Sequence, residues 1–298
     1  MSRIDDALRI REKDKAAAPG LSARFEVDGY ANESPTNGSR APRVRPQTPA
    51  AVPPAPADPT AARMGSLTAE VEARLVTGGA GSVSLEQYRR LAAVLHDIQL
   101  QQGLRTLMLT SALPAEGKTL TTANLALTLS ESYERRVLIV DADLRWPSLH
   151  KVFGLANGPG LSEALRGAGQ EPVIHRISSR LNLVAAGSPG LTPLAGLTST
   201  RMGELIERWS TQFDWVVFDT PPIGLLPDAQ LLARLTRAVV FVIAAGHTPS
   251  RAVERAVSEL GSDCVIGTVL NRVDNRRIPE AGYYARYGYG YYEDPDHK

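Results

Sequence analysis

From about Ser84 to Asp274 the chain carries six continuous apolar runs: RTLMLT, RRVLIVDAD, LNLVAAG, DWVVFDT, RAVVFVIAAG and CVIGTVLN. They do not alternate polar with apolar positions, so each reads as a strand covered on both faces, the habit of a parallel sheet. Between most of them the period shifts to that of a helix, as in LTTANLALTLSESY and STRMGELIERWSTQ. Strand and helix in alternation predict an α/β domain, a three-layer sandwich with helices on both faces of a mainly parallel sheet. No internal repeat interrupts that order.

Ahead of this domain the pattern dissolves. Residues 41–63 hold seven prolines in 23 residues without apolar periodicity, and such a stretch cannot bury enough surface to offset its ordering entropy. The sequence therefore predicts four parts: a short helix over 1–15, a disordered Pro/Ala-rich linker over 16–80, a folded domain over 84–275 and a tail over 276–298. The first helix rests on a capping pair, Ser2 with Asp5, and a narrow stripe of Ile4, Ala7 and Leu8. It lacks the apolar core of a secretory signal.

Composition narrows the picture. The 33 basic and 32 acidic residues leave a net charge of +1, so no nucleic-acid partner is expected. The longest apolar run, AVVFVIAA from Ala238 to Ala245, is far short of a membrane span, and one cysteine, Cys264, fits a reducing compartment. The sequence thus predicts a soluble, cytoplasmic chain.

The first strand runs into SALPAEGKTLTTANLA. Ala112 to Thr119 fits a P-loop with Ala at the first Gly, in the strand, loop, helix setting that the pattern requires. Backbone N–H groups there can wrap a phosphate at a helix N-terminus, Lys118 can reach the β and γ oxygens, and the Thr119 hydroxyl can ligate Mg2+. The candidate nucleotide contacts are Pro114, Ala115, Glu116, Gly117, Lys118, Thr119 and Leu120. The second strand ends in VLIVDADLRWP, and the spacing of Asp141 and Asp143 sends both side chains to one side of it. A third acid, Asp219, closes DWVVFD before TPP. Carboxylates at the C-terminal ends of strands in a P-loop sheet face its ligand crevice. The constellation predicts ATP with Mg2+.

Taken in order, SALPAEGKT, VLIVDADLRWPSLH, FDWVVFDTPPIGLLPDA and LNRVD, with tyrosines after them, resemble the bacterial tyrosine kinases, in particular the soluble single-domain members of polysaccharide loci. The resemblance covers about residues 84–298. It implies a P-loop kinase fold in which Lys118 and Thr119 bind phosphates and Mg2+, Asp141 takes the proton of an incoming tyrosine, and Asp143 and Asp219 organise the metal. Asn271 resembles the residue on the adenine side. It also implies an oligomerisation helix with Glu-x-x-Arg-x-x-Arg; here Glu86 and Arg89 stand in place, but Ala92 replaces the second arginine. Ala115 replaces a commoner glycine, and Trp146 an arginine.

The last eighteen residues hold six of the nine tyrosines: Tyr283, Tyr284, Tyr287, Tyr289, Tyr291 and Tyr292. Set among glycines with few aliphatic neighbours, they read as hydroxyls on offer rather than rings to bury, and the resemblance makes them autophosphorylation sites. An extended chain from Gly282 to Tyr291 spans at most about 30 Å, against a radius of gyration near 17 Å for a domain of this size. The tail can enter a neighbour's site, so a homo-oligomer that phosphorylates in trans is expected. The resemblance further implies a membrane-spanning polysaccharide co-polymerase as activator on a separate chain, recruitment to the inner membrane face through it, and a phosphatase that resets the tail. Two other readings stay open at this stage. One is a nucleotide-gated scaffold of the export machinery with little kinase activity; the other is a partitioning-type ATPase switch, although Leu113 stands where that group carries its extra lysine.

Overall fold

The computed structural model describes Leu75 and residues 83–167, 170–188, 193–224 and 227–273. The expected helix over 1–15, the linker apart from Leu75, and the tyrosine tail lie outside the described residues. Leu75 itself is buried in the same apolar cluster as Leu95 and Leu125, so the folded unit takes in at least that part of the predicted linker.

Helix α1 (Val83–Gln102) leads into β1 (Thr106–Ser111), the P-loop and α2 (Lys118–Glu131), then β2 (Val137–Asp141). Two short helices, α3 (Leu149–Val152) and α4 (Leu161–Arg166), precede β3 (Ile174–Arg176) and β4 (Leu181–Val184). The chain continues through α5 (Pro193–Leu197), α6 (Thr200–Gln212), β5 (Trp215–Asp219), α7 (Asp228–Thr236), β6 (Val239–Ala244), α8 (Ser250–Leu260) and β7 (Val265–Asn271). The strands lie in the order β3-β4-β2-β5-β1-β6-β7. Every neighbouring pair is parallel except β3 with β4.

Successive residues of a strand point to opposite faces, and the central strands bury both. Met108, Leu138, Val216 and Phe218 share one apolar cluster with Leu205 and Trp209 of α6 and Leu232 of α7. Leu107, Leu109, Ile139 and Val217 share the other with Leu95 of α1 and Leu125 and Leu129 of α2. The two clusters flank the sheet, giving the three layers that the alternation of runs predicts. The order also sets the ends of β1, β2 and β5 side by side, because β5 pairs with both others. That juxtaposition positions the site.

Two strands depart from the sequence reading. β7 was expected to be buried on both faces, yet it is the sheet's edge and only partly covered, with Leu270 63% exposed. Its continuous apolar run reflects packing against β6 and α8 on an edge. β3 was not foreseen: Ile174-His175-Arg176 is too short and polar to show a period, and it forms as an antiparallel partner that caps β4.

Candidate nucleotide and phosphoryl-transfer site

The loop between β1 and α2 bends through two left-handed residues, Ala115 at φ 59° and Gly117 at φ 92°. For glycine this is free, and at Gly117 it is also a spatial need, since a Cβ there would meet Asn271 Nδ2 at 2.0 Å. For Ala115 the same conformation costs roughly 1–2 kcal/mol. The carbonyls of the loop are held from behind. Ser111 Oγ donates to the Leu113 carbonyl at 2.7 Å, the Arg272 guanidinium to Ala115 at 2.6 Å and Asn271 Nδ2 to Glu116 at 2.9 Å. The Gly117 carbonyl accepts from the Thr121 N–H and hydroxyl, each at 2.9 Å. With its acceptors occupied, the loop offers N–H groups at the head of α2, the arrangement that binds a phosphate.

Lys118 opens α2 and is buried to 8% exposure. Burial draws its pKa down, while Asp219, Asp143 and Glu116 pull it back up. These carboxylates favour the cation that phosphate oxygens require. Next to it, the Thr119 hydroxyl donates to Asp219 Oδ2 at 2.7 Å and lies 3.0 Å from Ser148 Oγ. Thr122 Oγ1, which donates to the Lys118 carbonyl at 3.0 Å, sits 3.5 Å from Asp219 Oδ1.

Asp141 and Asp219 are register partners at the ends of β2 and β5, and both are buried. Burial pushes the Asp219 carboxyl up to about 7, against the pull of the Thr119 hydroxyl and Lys118. Asp141 is raised as well, first by burial and then by Asp219. Its Oδ2 accepts from the N–H groups of Ser148 and Leu149 at 3.0 Å each, and its Oδ1 from Asp143 at 3.2 Å. Asp141 therefore pins the loop that follows it. Asp143 is partly exposed, raised by burial, and its Oδ1 accepts from the Trp146 N–H at 3.0 Å.

The three acids that the sequence grouped thus divide into a buried pair and a loop residue coupled to Lys118 by charge. Among the described residues no set of three or more His, Cys, Asp or Glu side chains could hold a metal ion by itself. The donors do suit Mg2+, a hard cation that keeps waters and shares its shell with substrate phosphates. Thr119 and Asp219, in direct contact, with Asp143 beside Lys118, are the oxygen ligands and water-holders such an ion would find.

Four contributors escaped sequence reasoning. Ser148 and Arg272 appear in contacts already described. Arg145 pairs with the buried Asp228 at 2.8 Å, tying the loop after β2 to the first turn of α7. Thr248, in the turn between β6 and α8, donates its hydroxyl to the Glu116 carboxylate. Arg145 and Ser148 fall within DADLRWPSLH and Arg272 within LNRVD, but their partners are distant in sequence, and Thr248 lies outside every motif.

On α1, Glu86 and Arg89 form an ion pair at 3.7 Å with both side chains about half exposed. They line an open groove of about 660 Å3 together with Arg90, Ala93, Glu131, Ser132 and Tyr133. Ala92 is fully buried, so its departure from the arginine pattern belongs to the core.

Residues 107–285 match the CbiA family, described as the CobQ/CobB/MinD/ParA nucleotide binding domain. Over 207 residues the chain is 32% identical to tyrosine-protein kinase YwqD of Bacillus subtilis (strain 168), covering 68% of this chain and 87% of that one. The chain belongs to the bacterial tyrosine kinases. The kinase domain of the Escherichia coli tyrosine kinase ETK superposes on this kinase with a TM-score of 0.61 at 30% identity, over 65% of this chain and 77% of that one. The succinoglycan biosynthesis transport protein ExoP of Rhizobium meliloti (strain 1021) is 30% identical over 235 residues, 74% of this chain. This tyrosine kinase spans only 30% of the length of ExoP. Among the described residues no helix is long and apolar enough to cross a membrane.

Proposed function

We propose that the chain is an ATP-dependent autokinase that phosphorylates its own cluster Tyr283, Tyr284, Tyr287, Tyr289, Tyr291 and Tyr292, and that the modified tail regulates assembly or export of an extracellular polysaccharide. The observation that carries the reading is the contact of Thr119 Oγ1 with Asp219 Oδ2 at 2.7 Å beside the buried Lys118. It joins the P-loop to the strand end that would hold the metal in a kinase of this family.

In this reading the P-loop N–H groups and Lys118 fix the β and γ phosphates, and Asn271 flanks the adenine side. Thr119 and Asp219, with Asp143 nearby, would hold Mg2+, which would supply neutralisation of charge on the transferred group. The tyrosine oxygen forms a bond to the γ-phosphorus, the bond from that phosphorus to the β,γ-bridging oxygen breaks, and ADP leaves with the electron pair. The phenolic proton passes to Asp141, the carboxylate at the end of β2, whose basicity burial and the neighbouring Asp219 raise. Asp141 lies beneath Ser148 and Leu149, so the loop from Asp143 to Ser148 must shift before a tyrosine reaches it. Positioning and charge neutralisation carry most of such a reaction.

Polysaccharide control is supported by the likeness to the succinoglycan biosynthesis transport protein ExoP; the proposal adds a membrane-bound co-polymerase on a separate chain as the recruiting activator and a phosphatase that resets the tail. Glu86 and Arg89, on the groove of α1, are the proposed contacts between copies for transfer in trans. Each phosphotyrosine adds about −1.5 to −2 charge, so modified tails repel one another and loosen the assembly. Phosphopeptide mapping after phosphatase treatment and incubation with Mg-ATP tests the assignment. Phosphate confined to peptides from Gly282 onward supports it; phosphate only elsewhere, or none with any activator tail supplied, rejects it.

A further inference from the structure

The P-loop of this kinase carries a strain and a support that no motif accounts for. Ala115 holds the left-handed φ of 59° that glycine would adopt freely. One residue on, the Glu116 side chain turns back under the loop and is 2% exposed. Its Oε2 accepts from the Leu113 N–H at 2.8 Å, closing a ring across the bend, and its Oε1 accepts from the Thr248 hydroxyl. Thr248 is itself fixed, since its Oγ1 accepts from the Ala244 N–H at 3.2 Å and its own N–H donates to the Ala244 carbonyl at 3.0 Å. The turn after β6 thereby reaches the phosphate loop through one buried carboxylate.

The geometry points to Glu116 and Thr248 as positioning residues: together they brace the P-loop in its phosphate-binding curve against the tendency of Ala115 to leave the left-handed region. The inference rests on the nucleotide-binding reading of the loop, and goes beyond it by giving the Glu116 side chain a task separate from its backbone N–H. A buried carboxylate that loses a partner is costly to leave in place. Removing the Thr248 hydroxyl therefore frees the loop to relax, and the N–H groups lose their convergence before any phosphate arrives. Ala115 makes this chain depend on the brace. With glycine at 115 the curved loop is no longer strained, and the brace becomes dispensable.

The test measures Mg-ADP affinity of the full-length protein by fluorescence of a labelled ADP, together with KM for ATP and kcat for tail phosphorylation. Thr248→Val is expected to raise Kd and KM about tenfold, the effect of one lost hydrogen bond to a charged group, while kcat at saturating ATP stays within about twofold. Thr248→Ser, which keeps the hydroxyl, should behave as the parent, and adding Ala115→Gly to Thr248→Val should restore most of the affinity. An unchanged Kd in Thr248→Val overturns the inference, as does an equal loss in the Ala115→Gly background, which would place the role of Thr248 in its own turn. Where Thr248→Val melts too early to assay, Glu116→Asp, too short to span both partners, reads the same brace with the same expected rescue. Binding needs no phosphate transfer, so a chain that binds Mg-ADP as described but never labels its tail would reject the kinase assignment and leave the brace standing.

Discussion

Asp141 and Asp219 stand side by side at the ends of parallel strands β2 and β5, register partners with both carboxylates buried. Two acids so placed resist simultaneous ionisation; the Thr119 hydroxyl and Lys118 favour the charged form of Asp219, and the Leu149 and Ser148 N–H groups that of Asp141.

A pH dependence follows for the protein in EDTA. Asp219 is raised from an ordinary 3.8 to about 7. Between those values the folded chain keeps a proton that the unfolded chain has lost, so stability falls as pH rises from about 4 to about 7 and then levels off, by an amount on the order of a few kcal/mol. Thermal melts at pH 5 and pH 8 should show the parent losing more stability than Asp219→Asn. Mg-nucleotide affinity runs the other way, rising with pH through about 7 because the ion needs the carboxylate.

Lys118→Met removes the cation that meets the phosphates. The expected result is a fall in kcat/KM of about 10²–10³-fold or more, with a lower melting temperature at pH 8, because Asp219, Asp143 and Glu116 lose their opposing charge. The stability loss should shrink toward pH 5, where Asp219 is protonated; a loss equal at both pH values would contradict the charge coupling.

Asp141→Asn and Asp143→Asn should separate. The first removes the proposed proton acceptor and weakens three backbone hydrogen bonds, so kcat drops by about 10²–10⁴-fold and the loop from Asp143 to Ser148 exchanges its amides faster. The second leaves the strand end intact and raises the Mg2+ concentration needed for half-maximal rate. Equal effects on both parameters in the two variants would contradict the division of roles.

Placing an arginine at position 92, as the resemblance would have it, should not enlarge the assembly. Ala92 is fully buried, so Ala92→Arg places a charge among Leu95 and Leu107 and costs several kcal/mol. Denaturant melts read that cost, and sedimentation velocity should show no larger species. A stable variant with a higher oligomer would show that α1 presents this position outward.

Transfer in trans is tested by mixing two chains. One carries all six tail tyrosines as phenylalanine and keeps its site; the other carries Lys118→Met and keeps its tail. Phosphate on the second chain, at a rate rising with the concentration of the first, is the expected outcome. Adding Glu86→Ala and Arg89→Ala to both should slow it.

The central strands and the P-loop were legible because their signals are local: a continuous apolar run, a change of period, and GKT at the head of a helix. The sequence also placed Asp141 and Asp219 at strand ends; Asp143, expected to leave the same strand beside Asp141, lies in the loop because β2 stops at Asp141. What it did not show was made by pairing between distant segments. That Asp141 is buried and locked by Ser148 and Leu149 depends on how the following loop folds back. Thr248, Arg145 with Asp228, and Arg272 are ordinary residues in their own surroundings and acquire meaning only where turns meet. β7 misled for a related reason, since an apolar run says that a strand packs without saying how many neighbours it has.

The most direct test of the kinase assignment is intact-mass spectrometry of phosphatase-treated protein before and after incubation with Mg-ATP. The account predicts a ladder of up to six phosphate additions, absent in Lys118→Met and absent when the six tail tyrosines are phenylalanine. A ladder that survives loss of those tyrosines, or an unshifted mass in a chain that demonstrably binds Mg-ATP and has been given activator tails, would contradict it.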